Sequence, residues 1–102
     1  MEILLVRGEV RPGSRDAFLE MSGRYNDARA LAGWPRYRRC MDTAADDDSF
    51  VVVFMCEFDD VLHMERAEEA LETEPALKDA IAAMYEHLVP GSVTATTLRD
   101  LD

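Results

Sequence analysis

SFVVVFMCEFDDVLHMERAEEALETEP, residues 49–75, changes its periodicity at Asp59. Before that point the chain is almost continuously apolar and rich in β-branched residues. After it, apolar residues return as Val61, Met64, Ala67 and Leu71, three or four positions apart. The first pattern is that of a strand covered on both faces, and the second that of a helix with a single apolar stripe. Asp59 or Asp60 stands where the side chain of an N-cap accepts from the first free amides of a helix. A strand as apolar as 49–58 belongs in the middle of a sheet, so the rest of the chain must supply its neighbours.

Working outward, RYRRCMD (36–42) and the polar turn TAADDD (43–48) precede this strand and make a β-hairpin with it. Residues 3–10, ILLVRGEV, are a second short apolar strand, and RPGS follows as a turn with Ser14 as N-cap. Between 14 and 32, Ala17, Phe18, Met21, Tyr25, Ala28, Leu31 and Ala32 recur at helical spacing, and Gly33 and Pro35 stop the helix. Downstream, Pro75 is tolerated at a first helical position but not inside a helix, which predicts a break near 72–74. Leu77, Ala80, Ile81, Met84, Tyr85 and Leu88 form the face of the next helical piece, Pro90 and Gly91 end it, and SVTATTLR (92–99) is a last strand. The order β-α-β-β-α-β predicts one α+β domain over 1–102. It is ferredoxin-like, with two helices, the second in two pieces, on one face of a four-stranded antiparallel sheet.

Two helices cover only one face. Alternation places Leu4, Val6, Gly8 and Val10 with Val52, Phe54, Cys56 and Phe58 on one side, and Ile3, Leu5, Arg7 and Glu9 with Val51, Val53, Met55 and Glu57 on the other. If the first set meets the helices, five large apolar residues are left on an open face. Their exposure forgoes about 7 to 15 kcal/mol as an upper bound. A second copy of the same sheet is the simplest cover, so the expectation is a homodimer closed through that face.

The net charge of −10 is concentrated in the second half: residues 1–51 carry 8 basic and 9 acidic side chains, residues 52–102 carry 3 and 12. Such a chain lacks the basic face that nucleic acid requires. The acids of ERAEEALETE read as a solvated helix face. MEILLVRGEV breaks its apolar run too early for a secretory leader, and no stretch approaches the length of a membrane span, so a cytoplasmic location is expected. Cys40 and Cys56 lie in strand-like segments and read as two buried, reduced thiols rather than a disulfide or metal pair. AADDDS (44–49) lacks the ligand spacing of a calcium loop. No glycine-rich phosphate loop is present, and no pair of histidines has metal spacing, so neither metal nor cofactor is expected.

Several side chains nevertheless stand out. His63 lies at the margin of its helix's apolar stripe, beside Ala67 and Ala70, where it is either a boundary residue or a proton carrier. His87, near a helix C-terminus, is explained by the helix dipole. Arg7 and Glu9 share one side of a central strand, so they either form an ion pair, with each other or across a dimer, or line a polar patch in a cavity. Tyr25 projects from the core side of the first helix, and Tyr37 and Arg39 share one side of an edge strand. Groups of this kind suit an aromatic or anionic small molecule, and equally an ordinary core with polar tips.

A ferredoxin-like chain of this length with an open sheet face resembles the dimeric α/β-barrel superfamily. The strand ending Glu57-Phe58, the capped helix with small residues at its centre and Thr73-Glu74-Pro75-Ala76-Leu77 opening the next helix resemble its antibiotic-biosynthesis monooxygenase-like and NIPSNAP-like members. The resemblance implies a pocket between sheet and helices for a hydrophobic, aromatic or oxygenated metabolite, with monooxygenase-like or isomerase-like chemistry and no cofactor. In such chemistry His63 would remove a phenolic or enolic proton, and Arg7 or Tyr25 would hold the resulting oxyanion. Two departures are visible. Phe58 stands where the monooxygenase-like members carry Trp, and the only Trp, Trp34, is in the loop after the first helix. His87 comes only near the end of ALKDAIAAMYEHLV, unlike the haem-degrading relatives. The alternative is a non-catalytic dimeric module whose interior is filled by its own side chains.

Overall fold

A computed structural model describes residues 1–42 and 50–101. The turn read over 43–48, and with it the acidic run weighed for calcium, lies outside the described residues. Elements follow in the order β1 (Glu2–Val10), α1 (Arg15–Leu31), β2 (Arg38–Met41), β3 (Phe50–Phe58), α2 (Val61–Thr73), α3 (Pro75–Tyr85) and β4 (Thr94–Arg99). The sheet is antiparallel in the order β2-β3-β1-β4, so the two most apolar strands are its centre. This is the ferredoxin-like α+β fold. Its second helical layer is split at Glu74, with Pro75 opening α3 where its missing N–H costs no helical bond.

The expected face assignment is observed. Leu4, Val10, Val52, Phe54, Cys56 and Phe58 are buried against Phe18 and Tyr25 of α1, Met64 and Ala67 of α2, Met84 of α3 and Leu88. The opposite face carries Ile3, Leu5, Val53 and Met55, all partly exposed, with Cys40 and Leu98 beside them. Val51 on that face is already buried within the chain, which reduces the area a second copy would have to cover. Cys40 is exposed and Cys56 buried, both as free thiols, so only one thiol is in the core. An edge strand has one side without a neighbour, which is why β2 leaves Cys40 open.

α1 departs from its expected stripe. Phe18, Ser22, Tyr25, Asn26 and Arg29 are buried, while Leu31 is 91% exposed. Leu31 is the last residue of the helix. The buried positions are set by what the sheet and β2 offer as partners rather than by apolarity alone, and a guanidinium has taken the place read for an alkyl side chain. Among the described residues no helix is long and apolar enough to cross a membrane.

Candidate functional site

Two local devices shape the interior beside β3. The first ends α1. Gly33 takes a left-handed φ of 86°, the Gly33 amide donates to Ala30 O at 3.1 Å and the Trp34 amide to Arg29 O at 2.9 Å. This Schellman arrangement satisfies the last carbonyls of the helix and turns Trp34 back over the sheet, against the cluster of Leu4, Cys56, Phe58, Met64 and Ala67. The second opens α2. Asp60, in extended backbone, accepts from the His63 amide at 2.8 Å through its side chain, which fixes His63 in the first turn. The His63 ring stands edge-on to Phe58, with centroids 5.4 Å apart, and lies 5.8 Å from the Trp34 ring. Trp34, distant in sequence from the strand-to-helix junction, is thus carried to it by the turn at Gly33.

Behind this corner lies a buried cation that the sequence reading missed. Arg29 is 1% exposed. Its Nε donates to Pro35 O at 2.8 Å, and its terminal nitrogens lie 3.4 Å from the Tyr25 hydroxyl and 3.6 Å from Cys56 Sγ. The guanidinium sits 4.3 Å from the Tyr37 ring centre and 5.7 Å from that of Tyr25. Tyr37 is held in place by Asn26, whose side chain donates to Tyr37 O at 2.9 Å and accepts from Tyr37 N at 2.8 Å. No carboxylate is among these contacts; carbonyl, phenol, thiol and π-faces surround the charge. Burial raises the pKa of Tyr25, Tyr37 and Cys56 above the ordinary values, and the opposing pull of Arg29 does not overcome it. The thiol and both phenols are therefore neutral at pH 7. An arginine flanked by apolar and small residues carries no periodic signal of burial; only its spacing of four and seven from Tyr25 and Ser22 could have pointed to it.

The three expected site residues do not share one cavity. Tyr25 and His63 lie on the helix side of the sheet. Arg7 is on the opposite face, its side chain half exposed and paired with Asp42 at 2.6 Å. Within the chain its ion-pair partner is thus Asp42 rather than Glu9. The Asp59 amide donates to His63 Nδ1 at 3.4 Å, and the Asp59 carboxylate lies 3.8 Å from the same nitrogen. Trp34 Nε1 is buried without a hydrogen-bond partner among the described residues. His87 follows α3 and is partly buried. Among the described residues no group of three or more His, Cys, Asp or Glu is placed to hold a metal ion. An open groove of about 340 Å³ lies on the other face of the sheet, lined by Pro35, Arg36, Arg38, Met55 and Glu57.

No protein-family model matches the chain, and no curated protein matches it in sequence. Solved structures do. An uncharacterised NIPSNAP domain protein from Burkholderia xenovorans superposes with a TM-score of 0.76 at 17% identity, over 98% of this chain and 94% of its own. An antibiotic biosynthesis monooxygenase superposes at 0.71 with 14% identity over the whole of both chains. A mutant of SnoaB, a cofactor-independent oxygenase from Streptomyces nogalater, superposes at 0.66 with 16% identity, over 99% and 94%. The chain therefore shares the ferredoxin-like fold of the NIPSNAP and antibiotic biosynthesis monooxygenase structures that its sequence resembles.

Proposed function

We propose that the protein binds a small hydrophobic metabolite bearing an acidic oxygen, aromatic by preference, at the corner of Trp34, Phe58 and His63, as a homodimer closed through the open sheet face and without metal or nucleotide. One observation carries the reading: among the described residues the buried Trp34 indole N–H has no acceptor, and the contacts of the buried Arg29 cation include no carboxylate. A buried donor and a buried cation are stabilised by an anionic oxygen placed near them. The aromatic walls suit a flat apolar body.

Where binding is followed by chemistry, the step these residues equip is removal of a phenolic or enolic proton by the imidazole of His63, with the oxyanion held by Tyr25 and by Arg29, which takes the place of Arg7. That one fold neighbour is a cofactor-independent oxygenase supports chemistry of this kind. A second reading, a non-catalytic dimeric module with a filled interior, is favoured by the close packing of Tyr25, Arg29 and Cys56, which are 2%, 1% and 1% exposed.

A thermal-shift screen of naphthols, flavonoid-type phenols and 1,3-diketones separates the two. Ligand-induced stabilisation is expected in the wild type and in Arg7→Ala, and its loss in His63→Ala and Arg29→Met. Absence of any shift at millimolar ligand overturns the binding reading in favour of the filled module.

A further inference from the structure

We infer that Arg38 of one copy pairs with Glu57 of a second copy, and that this pair, made twice, sets the register of the association proposed above, on which the inference rests. Both residues line the 340 Å³ groove of the open sheet face, on either side of Met55. The other arginines nearby are engaged within the chain, Arg36 with Asp27 at 2.8 Å and Arg7 with Asp42 at 2.6 Å. Neither Arg38 nor Glu57 makes an ion pair among the described residues. A patch that carries both signs next to an apolar surface is self-complementary, which an interface between identical copies requires, because each contact there occurs twice with the roles exchanged.

The strand register tests whether charge and apolar burial agree. Arg38 is opposite Met55, Met55 opposite Leu5, and Leu5 opposite Thr96; Cys40, Val53, Arg7 and Thr94 form the next row, and Glu57, Ile3 and Leu98 the row on the other side. Strands are about 4.8 Å apart and residues about 3.4 Å apart along them. On that lattice Arg38 and Glu57 are diagonal neighbours. Two sheets face to face are related by a twofold axis lying between them, and Arg38 meets Glu57 of the other copy when the axis bisects the diagonal.

That bisector runs past Met55 and over Leu5, the middle of the apolar area. Met55 and Leu5 then meet their own counterparts, Ile3 and Leu98 lie over Cys40 and Val53 of the second copy, and Arg7 falls on Thr96. The operation that pairs the charges is thus one that also covers the apolar residues. A sheet face with its charges elsewhere on this lattice would satisfy one requirement and not the other.

The test is a charge-exchange cycle read by sedimentation velocity, with circular dichroism to confirm that each variant is folded. Arg38→Glu and Glu57→Arg alone are each expected to weaken self-association at least tenfold at low salt, and the double variant to return to within about threefold of the wild type. Single variants that associate like the wild type, or a double variant no better than the singles, overturn the pairing and leave the dimer standing. A wild type that is monomeric at 100 µM overturns both.

Discussion

The guanidinium of Arg29 stacks 4.3 Å from the ring centre of Tyr37, and its Nε is bonded to Pro35 O, so a helix and the entry to the edge strand are joined through one buried cation. Asn26 clamps the same strand from one turn earlier. A planar cation serves here where an ammonium would not, because it presents a face to the ring and an edge to the carbonyl.

Arg29→Lys is accordingly expected to lower the free energy of unfolding by about 2 to 4 kcal/mol, since the charge stays buried while the stacking and the fork of donors are lost. Arg29→Met removes the charge and keeps the stem, and is expected to cost less. Urea denaturation of the three proteins checks the order; Met worse than Lys would show that the charge itself is stabilising.

Alkaline pH is expected to weaken the fold. Burial raises the thiol of Cys56 above its ordinary 9.0 and the phenol of Tyr25 above its ordinary 10.0. The folded state therefore holds these protons more tightly than the unfolded one, and the stability this contributes is fully present below about pH 9 and is lost as pH rises through the raised values. The urea midpoint should be level from pH 7 to about 8.5 and fall above 9, with the onset moved upward in Cys56→Ala. A midpoint that climbs above pH 9 would contradict the assignment.

The two thiols should differ in reactivity. Cys40 is exposed on the open face and Cys56 is 1% exposed. Titration with a chromogenic disulfide should modify Cys40 in the native protein and Cys56 only on unfolding. If the open face closes on a second copy, Cys40 reacts more slowly as protein concentration rises; a rate independent of concentration speaks against that closure.

Met55→Asp places a charge at the centre of the same face. It is expected to dissociate the proposed dimer, because each copy loses a Met worth about 1.5 to 3 kcal/mol of burial and gains a desolvated carboxylate. Glu69→Lys, on the exposed side of α2, should leave association unchanged. Light scattering at micromolar concentration distinguishes the two outcomes.

What the chain determines by itself is the layer plan. Alternation along ILLVRGEV and VVVFMCEF, the caps at Asp60 and Gly33 and the interruption at Pro75 are local signals, each read within a few residues, and they specify which strands are central and which residues share a face. Which polar side chains become interior was decided only by the tertiary structure. Arg29 looks like any surface arginine until β2 brings Tyr37 and Pro35 over it. Arg7 is placed on the open face by alternation alone, but its partner, Asp42, is 35 residues away in sequence and is supplied only by the fold. Trp34 reaches His63 because a glycine reverses the chain by a turn whose direction is local but whose destination is the far end of β3. Periodicity records the average solvent exposure of a face. It does not record which distant group will supply the one hydrogen bond or π-face that makes burying a charge tolerable.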